Sequence, residues 1–233
     1  MKSQFKSFLT LGAGAAFALA LGIGSASADT FNFTSCHISG STCEGGNIAS
    51  PGFGSVTLTQ VGTSVTFDVT LINGNRFVET GAGGNSLFLF NDTLAGSTIT
   101  NITTTLNGTT TTLAASGLTN QSPIHADGTG DFTAQVFCTD ASQCNGGSTP
   151  NINDLHFTVT NATLAQLETA NANGNIFVAD ILCGSGQTQC AGLTGPVDVN
   201  TGRTAVPEPA SLLLLGSGLA GIGVWGWKRR KSA

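Results

Sequence analysis

Residues 29–200 predict an all-β fold, an antiparallel β-sandwich or jelly roll, and three observations carry that prediction. Apolar residues alternate with Thr, Ser and Asp over short stretches, Gly and Asn interrupt these stretches, and only one segment has a helical pattern. The chain of 233 residues holds 32 Gly and 14 Phe but no Tyr, and only 9% of it is charged, against roughly 25% in an average soluble protein.

The clearest strand is 64–71, S-V-T-F-D-V-T-L, which puts Val65, Phe67, Val69 and Leu71 on one face and Thr66, Asp68 and Thr70 on the other. Residues 56–61 precede it across Gly62-Thr63, a hairpin signature. Residues 87–90 form an apolar run, and 131–138 place Phe132, Ala134 and Val136 on one side. Residues 155–160 alternate again through Leu155, Phe157 and Val159, which turns His156 away from the core. Residues 163–170 carry the short-helix pattern, and 176–182 are a further strand. Residues 101–112 hold 7 Thr in 12 residues, as strands exposing β-branched side chains on a solvated face would. A Thr array matching ice is disfavoured, because no second or third copy of the segment follows.

Formal net charge is −5, but the lysines lie only at positions 2, 6, 228 and 231. Residues 29–206 keep Arg76 and Arg203 against 12 acidic side chains, so attraction to nucleic acid or an anionic membrane is excluded as the main business of this region.

Residues 1–28 combine Lys2 and Lys6, an apolar middle from Phe8 to about Ile23, and Ala26-Ser27-Ala28. This is the pattern of a secretory signal peptide, with signal peptidase expected to cut after Ala28 and leave Asp29 first. Residues 210–227 form an uncharged 18-residue stretch that as a helix rises about 27 Å, matching a bilayer core. Trp225 and Trp227 sit at interfacial positions, and Lys228, Arg229, Arg230 and Lys231 make a cytoplasmic stop, so the body is exported while the tail remains inside. Residues 201–206 read as a linker.

Val206, Pro207, Glu208 and Pro209, the apolar span, and the cluster of Lys228, Arg229 and Arg230 together resemble the PEP-CTERM protein-sorting signal of Gram-negative bacteria. The three parts have separate tasks: a rigid non-helical segment fixed by two prolines, a span and a stop. The resemblance implies recognition of residues 207–231 by an exosortase, a membrane-embedded cysteine transpeptidase-like enzyme. It also implies transient anchoring in the inner membrane, delivery to the cell surface or beyond, and association with extracellular polysaccharide and biofilm matrix.

Six cysteines fall as three close couples, Cys36 and Cys43, Cys138 and Cys144, Cys183 and Cys190. An even count in an exported body reads as disulfides; six cysteines allow 15 connectivities, and the spacing favours three local loops. Gaps of five or six residues do not suit a zinc site, and C-x-x-C is absent.

No catalytic residues emerge. His37, His125 and His156 are the only histidines, with no H-E-x-x-H and no G-x-S-x-G elbow, and no two carboxylates are marked as partners. Asp127 and Asp131 flank the one acidic Gly-rich turn, a weak calcium candidate without the further ligands of an EF-hand, and a solvated turn before a strand is the simpler reading. No cofactor is expected. The sequence therefore predicts a disulfide-stabilised exported domain with a structural or adhesive role in exopolysaccharide or biofilm. A lectin-like carbohydrate-binding module with a defined glycan site is the alternative, and a hydrolase a distant third.

Overall fold

The alternating pattern resolves into two antiparallel sheets in the computed structural model, which describes residues 27–80, 86–106, 109–140 and 152–200. The signal peptide through residue 26, the linker 201–206, the sorting signal 207–231 with its span at 210–227, and Cys144 lie outside the described residues. Among the described residues no helix is long and apolar enough to cross a membrane.

One sheet has six strands in the order β1 (Ala28–Phe33), β4 (Gly54–Val61), β5 (Ser64–Leu71), β14 (Asp154–Thr160), β8 (Thr98–Leu106) and β9 (Thr109–Thr112). The other runs β10 (Ala115–Leu118), β13 (Ala134–Cys138), β7 (Ser86–Phe90), β15 (Asn175–Leu182), β16 (Thr194–Asn200), β2 (Ser35–Cys36) and β3 (Gly46–Asn47), with β6 (Arg76–Phe77) also paired to β15. The β4–β5 hairpin turns through Gly62, whose φ of 60° suits a residue without a Cβ.

The sheets meet through phenylalanines. Phe67 of the first sheet stacks on Phe157 at 4.5 Å and reaches Phe90 at 5.2 Å, Phe177 at 6.0 Å and Phe88 at 6.1 Å in the second. All five are essentially inaccessible to water. β7 is buried at every position and β15 at all but its last, because a third layer covers their outer side. The hairpin of β11 (Ile124–Ala126) and β12 (Gly130–Phe132) lays Ile124, Ala126 and Phe132 over Leu89 and Val178. Strands covered on both faces read as continuous apolar runs, as S-L-F-L-F and N-I-F-V-A-D-I-L do.

Several expectations change in detail. The strands expected at 56–61, 87–90, 155–160 and 176–182 each extend by one or two residues, and the single strand expected at 131–138 is two, β12 and β13, separated at Thr133. The helical pattern at 163–170 contracts to α1 (Leu164–Leu167), opened by a capping box between Thr163 and Gln166. Ala28, on the leaving side of the expected cleavage bond, is buried and pairs with Thr59 at the start of β1.

Disulfides join Cys36 to Cys43 and Cys183 to Cys190, and Cys138 is disulfide-bonded as well. The two complete loops touch each other: the Thr42 N–H donates to the Gln189 carbonyl at 3.0 Å. The second loop is tied to the turn after β5, with the Gly184 N–H donating to Asn75 Oδ1 at 2.9 Å and Asn73 Nδ2 donating to Gln187 Oε1 at 2.9 Å.

Candidate functional site

Alternation that buries Val65, Phe67 and Val69 sends Thr66, Asp68 and Thr70 to the opposite face of the six-stranded sheet, and the neighbouring strands do the same. Strand register then lines the outward residues up across the sheet. One row reads Thr30, Thr57, Asp68, His156, Thr103 and Thr112, one residue from each strand. A second reads Thr59, Thr66, Thr158 and Thr100, and a third Ser64, Thr160 and Thr98. At a strand spacing near 4.8 Å the first row is about 24 Å long. Hydroxyls within these rows are close enough to bond, Thr30 to Thr57 at 2.9 Å in the first and Thr98 to Thr160 at 2.7 Å in the third. Each hydroxyl has one proton and two lone pairs, so such a bond leaves capacity for a ligand.

His156 is the centre of this face. Its Nδ1 lies 2.6 Å from Asp68 Oδ1 and its Nε2 lies 3.3 Å from Asp154 Oδ2. Asp154 Oδ1 also accepts the Thr104 hydroxyl at 2.6 Å and the Thr105 N–H at 2.7 Å. Burial pushes the imidazole down, but its bonds to Asp68 and Asp154 outweigh burial and hold it above its ordinary 6.5. Burial likewise pushes Asp154 up, and the donors from Thr104, Thr105 and His156 outweigh it, holding the carboxyl below its ordinary 3.8. An imidazolium with a carboxylate on each nitrogen has no lone pair to offer as a general base. It is a hydrogen-bond hub, and with side-chain exposures of 30% and 48%, His156 and Asp68 are open to a ligand.

The pH dependence follows from these directions. A raised His156 stabilises the fold fully below 6.5 and loses that contribution as pH rises through its higher folded value. A depressed Asp154 contributes fully above 3.8 and loses it as pH falls through its lower folded value. The His156→Gln variant is therefore expected to melt furthest below the wild type near pH 5–6 and to close the gap toward pH 9, read by thermal melts across that range. A constant gap would mean that the imidazolium does not hold the three strands together.

Elsewhere the histidines do less. His37 Nε2 faces both Ser35 Oγ at 3.1 Å and the fully buried Asp198 Oδ2 at 2.8 Å. A hydrolytic triad needs serine and aspartate on opposite ring nitrogens, so this trio is not arranged as one. The ring lies under Gly128, where an added Cβ would stand 2.6 Å from His37 Nδ1. His125 pairs with Asp131 at 2.9 Å on the exposed surface.

Two recesses flank the second sheet. One of about 420 Å³ is lined by His37, Glu44, Thr80 and Asp127 among others. The other, about 310 Å³, is lined by Asn91, Thr93, Asp131, Gln166 and Asn171 among others. The calcium candidates thus divide between them, Asp127 in the first and Asp131 in the second, and no group of three or more metal-ligating side chains occurs among the described residues. Many of the lining groups are already engaged. Glu44 accepts the Gly40 N–H, Thr80 donates to Asp180, Asn91 donates to Thr169, Asn171 donates to Thr129, and Gln166 accepts from Thr163.

Sequence reasoning turned His156 outward but did not find its partners, and it sought a threonine array along the chain where the sheet builds one across strands. The only sequence signal was the polar half of each alternating strand.

Nothing among curated proteins matches the chain, and no solved structure matches it. The family model of the PEP-CTERM protein-sorting motif matches residues 205–231, beyond the described sheets. The chain therefore carries a PEP-CTERM sorting motif, which marks it for export and for sorting to the cell surface by an exosortase.

Proposed function

We propose that the folded body is a structural or adhesive domain of the extracellular matrix of a Gram-negative bacterium. It holds hydrated polysaccharide on the threonine face of the six-stranded sheet, and its tail spans the inner membrane until the exosortase acts. The observation that carries this reading is the row of Thr30, Thr57, Asp68, His156, Thr103 and Thr112. It presents hydroxyls in register, with capacity left over, around one charged hub. A sugar polymer offers the complementary array of hydroxyls, and a face of this length spans several residues of it. The second reading, a lectin-like module, is favoured by the recess at Asn91, Thr93 and Asp131, although most of its amides are engaged internally.

Substitution separates the two. Thr66→Lys with Thr158→Lys places long side chains in the middle of the face, and is expected to weaken retention on exopolysaccharide from the host at least about tenfold, since two or more hydrogen-bonded contacts are lost. Thr93→Lys at the recess is expected to leave retention intact. Loss of binding in Thr93→Lys alone would move the site to the recess, and no retention of the wild type would remove the adhesive reading.

A further inference from the structure

Asp29 is the first residue after the expected cleavage bond, and its side chain points inward. It pairs with Leu58, as Phe31 pairs with Val56, and paired residues share a face. Leu58, Val56 and Phe31 are all core residues. At this edge of the sandwich the Asp29 carboxyl acts on Glu168, just past α1, and helps to push its pKa up. Two carboxyl groups thus face each other in a half-buried place, and Glu168 Oε1 is buried with no hydrogen-bond partner at all. Arg76 is the one lysine or arginine among the described residues, on the other sheet, and no basic group acts on Glu168.

The missing cation is supplied by maturation. Hydrolysis of the Ala28–Asp29 peptide bond consumes one water, leaves a carboxylate on Ala28, and frees the Asp29 nitrogen as an amine that takes up a proton. That nitrogen is already in place. The Gln60 N–H donates to the Ser27 carbonyl, which makes Ala28 and Thr59 a non-hydrogen-bonded pair and Asp29 and Leu58 a hydrogen-bonded one. The Asp29 nitrogen therefore donates to the Leu58 carbonyl before cleavage, and as an ammonium it keeps that bond with two further protons to give. Bond lengths keep it within about 4 Å of its own side-chain carboxyl, the group that acts on Glu168.

We infer that Glu168 is the receptor for the α-ammonium group of Asp29, so that signal-peptide removal installs an ion pair that closes the edge of the sandwich. The inference rests on the export reading for the cleavage itself, but not on any role of the threonine face. The charge balance supports it: burial first, then the neighbouring Asp29 carboxyl, pushes Glu168 up to about 7, the behaviour of an acid whose counter-ion has yet to arrive.

The chain makes the test clean, because residues 29–227 contain no lysine and the α-amine is the only primary amine of the body. The full chain is exported, its N-terminus is read by mass, and the purified protein is acetylated with an amine-selective reagent. At pH 7 acetylation is expected to lower the melting temperature of the wild type by about 5 °C, and that of Glu168→Gln by less than about 1 °C. Equal shifts in both proteins, or none in the wild type, would overturn the ion pair while leaving export intact. A purified protein that retains residues 1–28 would overturn both.

Discussion

Replacing Phe67 with alanine is expected to destabilise the folded domain by about 3–5 kcal/mol, among the largest losses from any single side chain. Phe67 touches four other rings and joins both sheets: it stacks on Phe157 beside it and meets Phe88, Phe90 and Phe177 across the interface. Removing it leaves a cavity walled by rings that cannot all collapse into it. Phe31, at the edge strand, makes its one ring contact with Phe177 and should cost less when truncated. Chemical denaturation of the exported protein measures both, and a Phe67→Ala loss below about 1.5 kcal/mol would mean that the two sheets are not held by this cluster.

The second large effect belongs to the disulfide between Cys183 and Cys190. A closed loop of this size removes enough freedom from the unfolded chain to be worth about 2.5 kcal/mol. The double substitution Cys183→Ala with Cys190→Ala is expected to lose that amount. It also loosens what the loop holds: the bonds from Gly184 to Asn75 and from Asn73 to Gln187, and through Gln189 the neighbouring loop at Thr42. Hydrogen exchange should therefore rise at both loops together. A loss below about 1 kcal/mol, with exchange confined to residues 183–190, would show that the loop is held by its packing rather than by its sulfurs.

How far the sequence shows this architecture depends on whether the deciding contact is local. The strand at Ser64–Leu71 is legible because its own alternation encodes which face is buried, and its turn at Gly62 lies next to it. The break at Thr133 is not legible. The pattern from Asp131 to Cys138 runs on without a glycine or proline, and what ends β12 is Thr133 bonding to Asp92, 41 residues away. The partnership of His156 with Asp68 is hidden for the same reason, since their strands are brought together across 88 residues. The recesses depend on a hairpin folded over the back of the second sheet, which no periodicity announces. The sorting motif stands at the other extreme, because proline, span and basic stop are each read by sequence position and need no folded context.

The pairing of Asp68 with His156 also sets an order of events. A ladder between segments that far apart cannot close until the later one has crossed the membrane, and the entropy of the intervening loop delays it further. The hairpin of β4 and β5 can form early, but half of the hydroxyl rows are missing until β14 docks between β5 and β8. The surface proposed to hold polysaccharide is thus absent from the nascent chain and exists only once nearly the whole body has been translocated. A polypeptide still threading through the export machinery has no assembled threonine face at all.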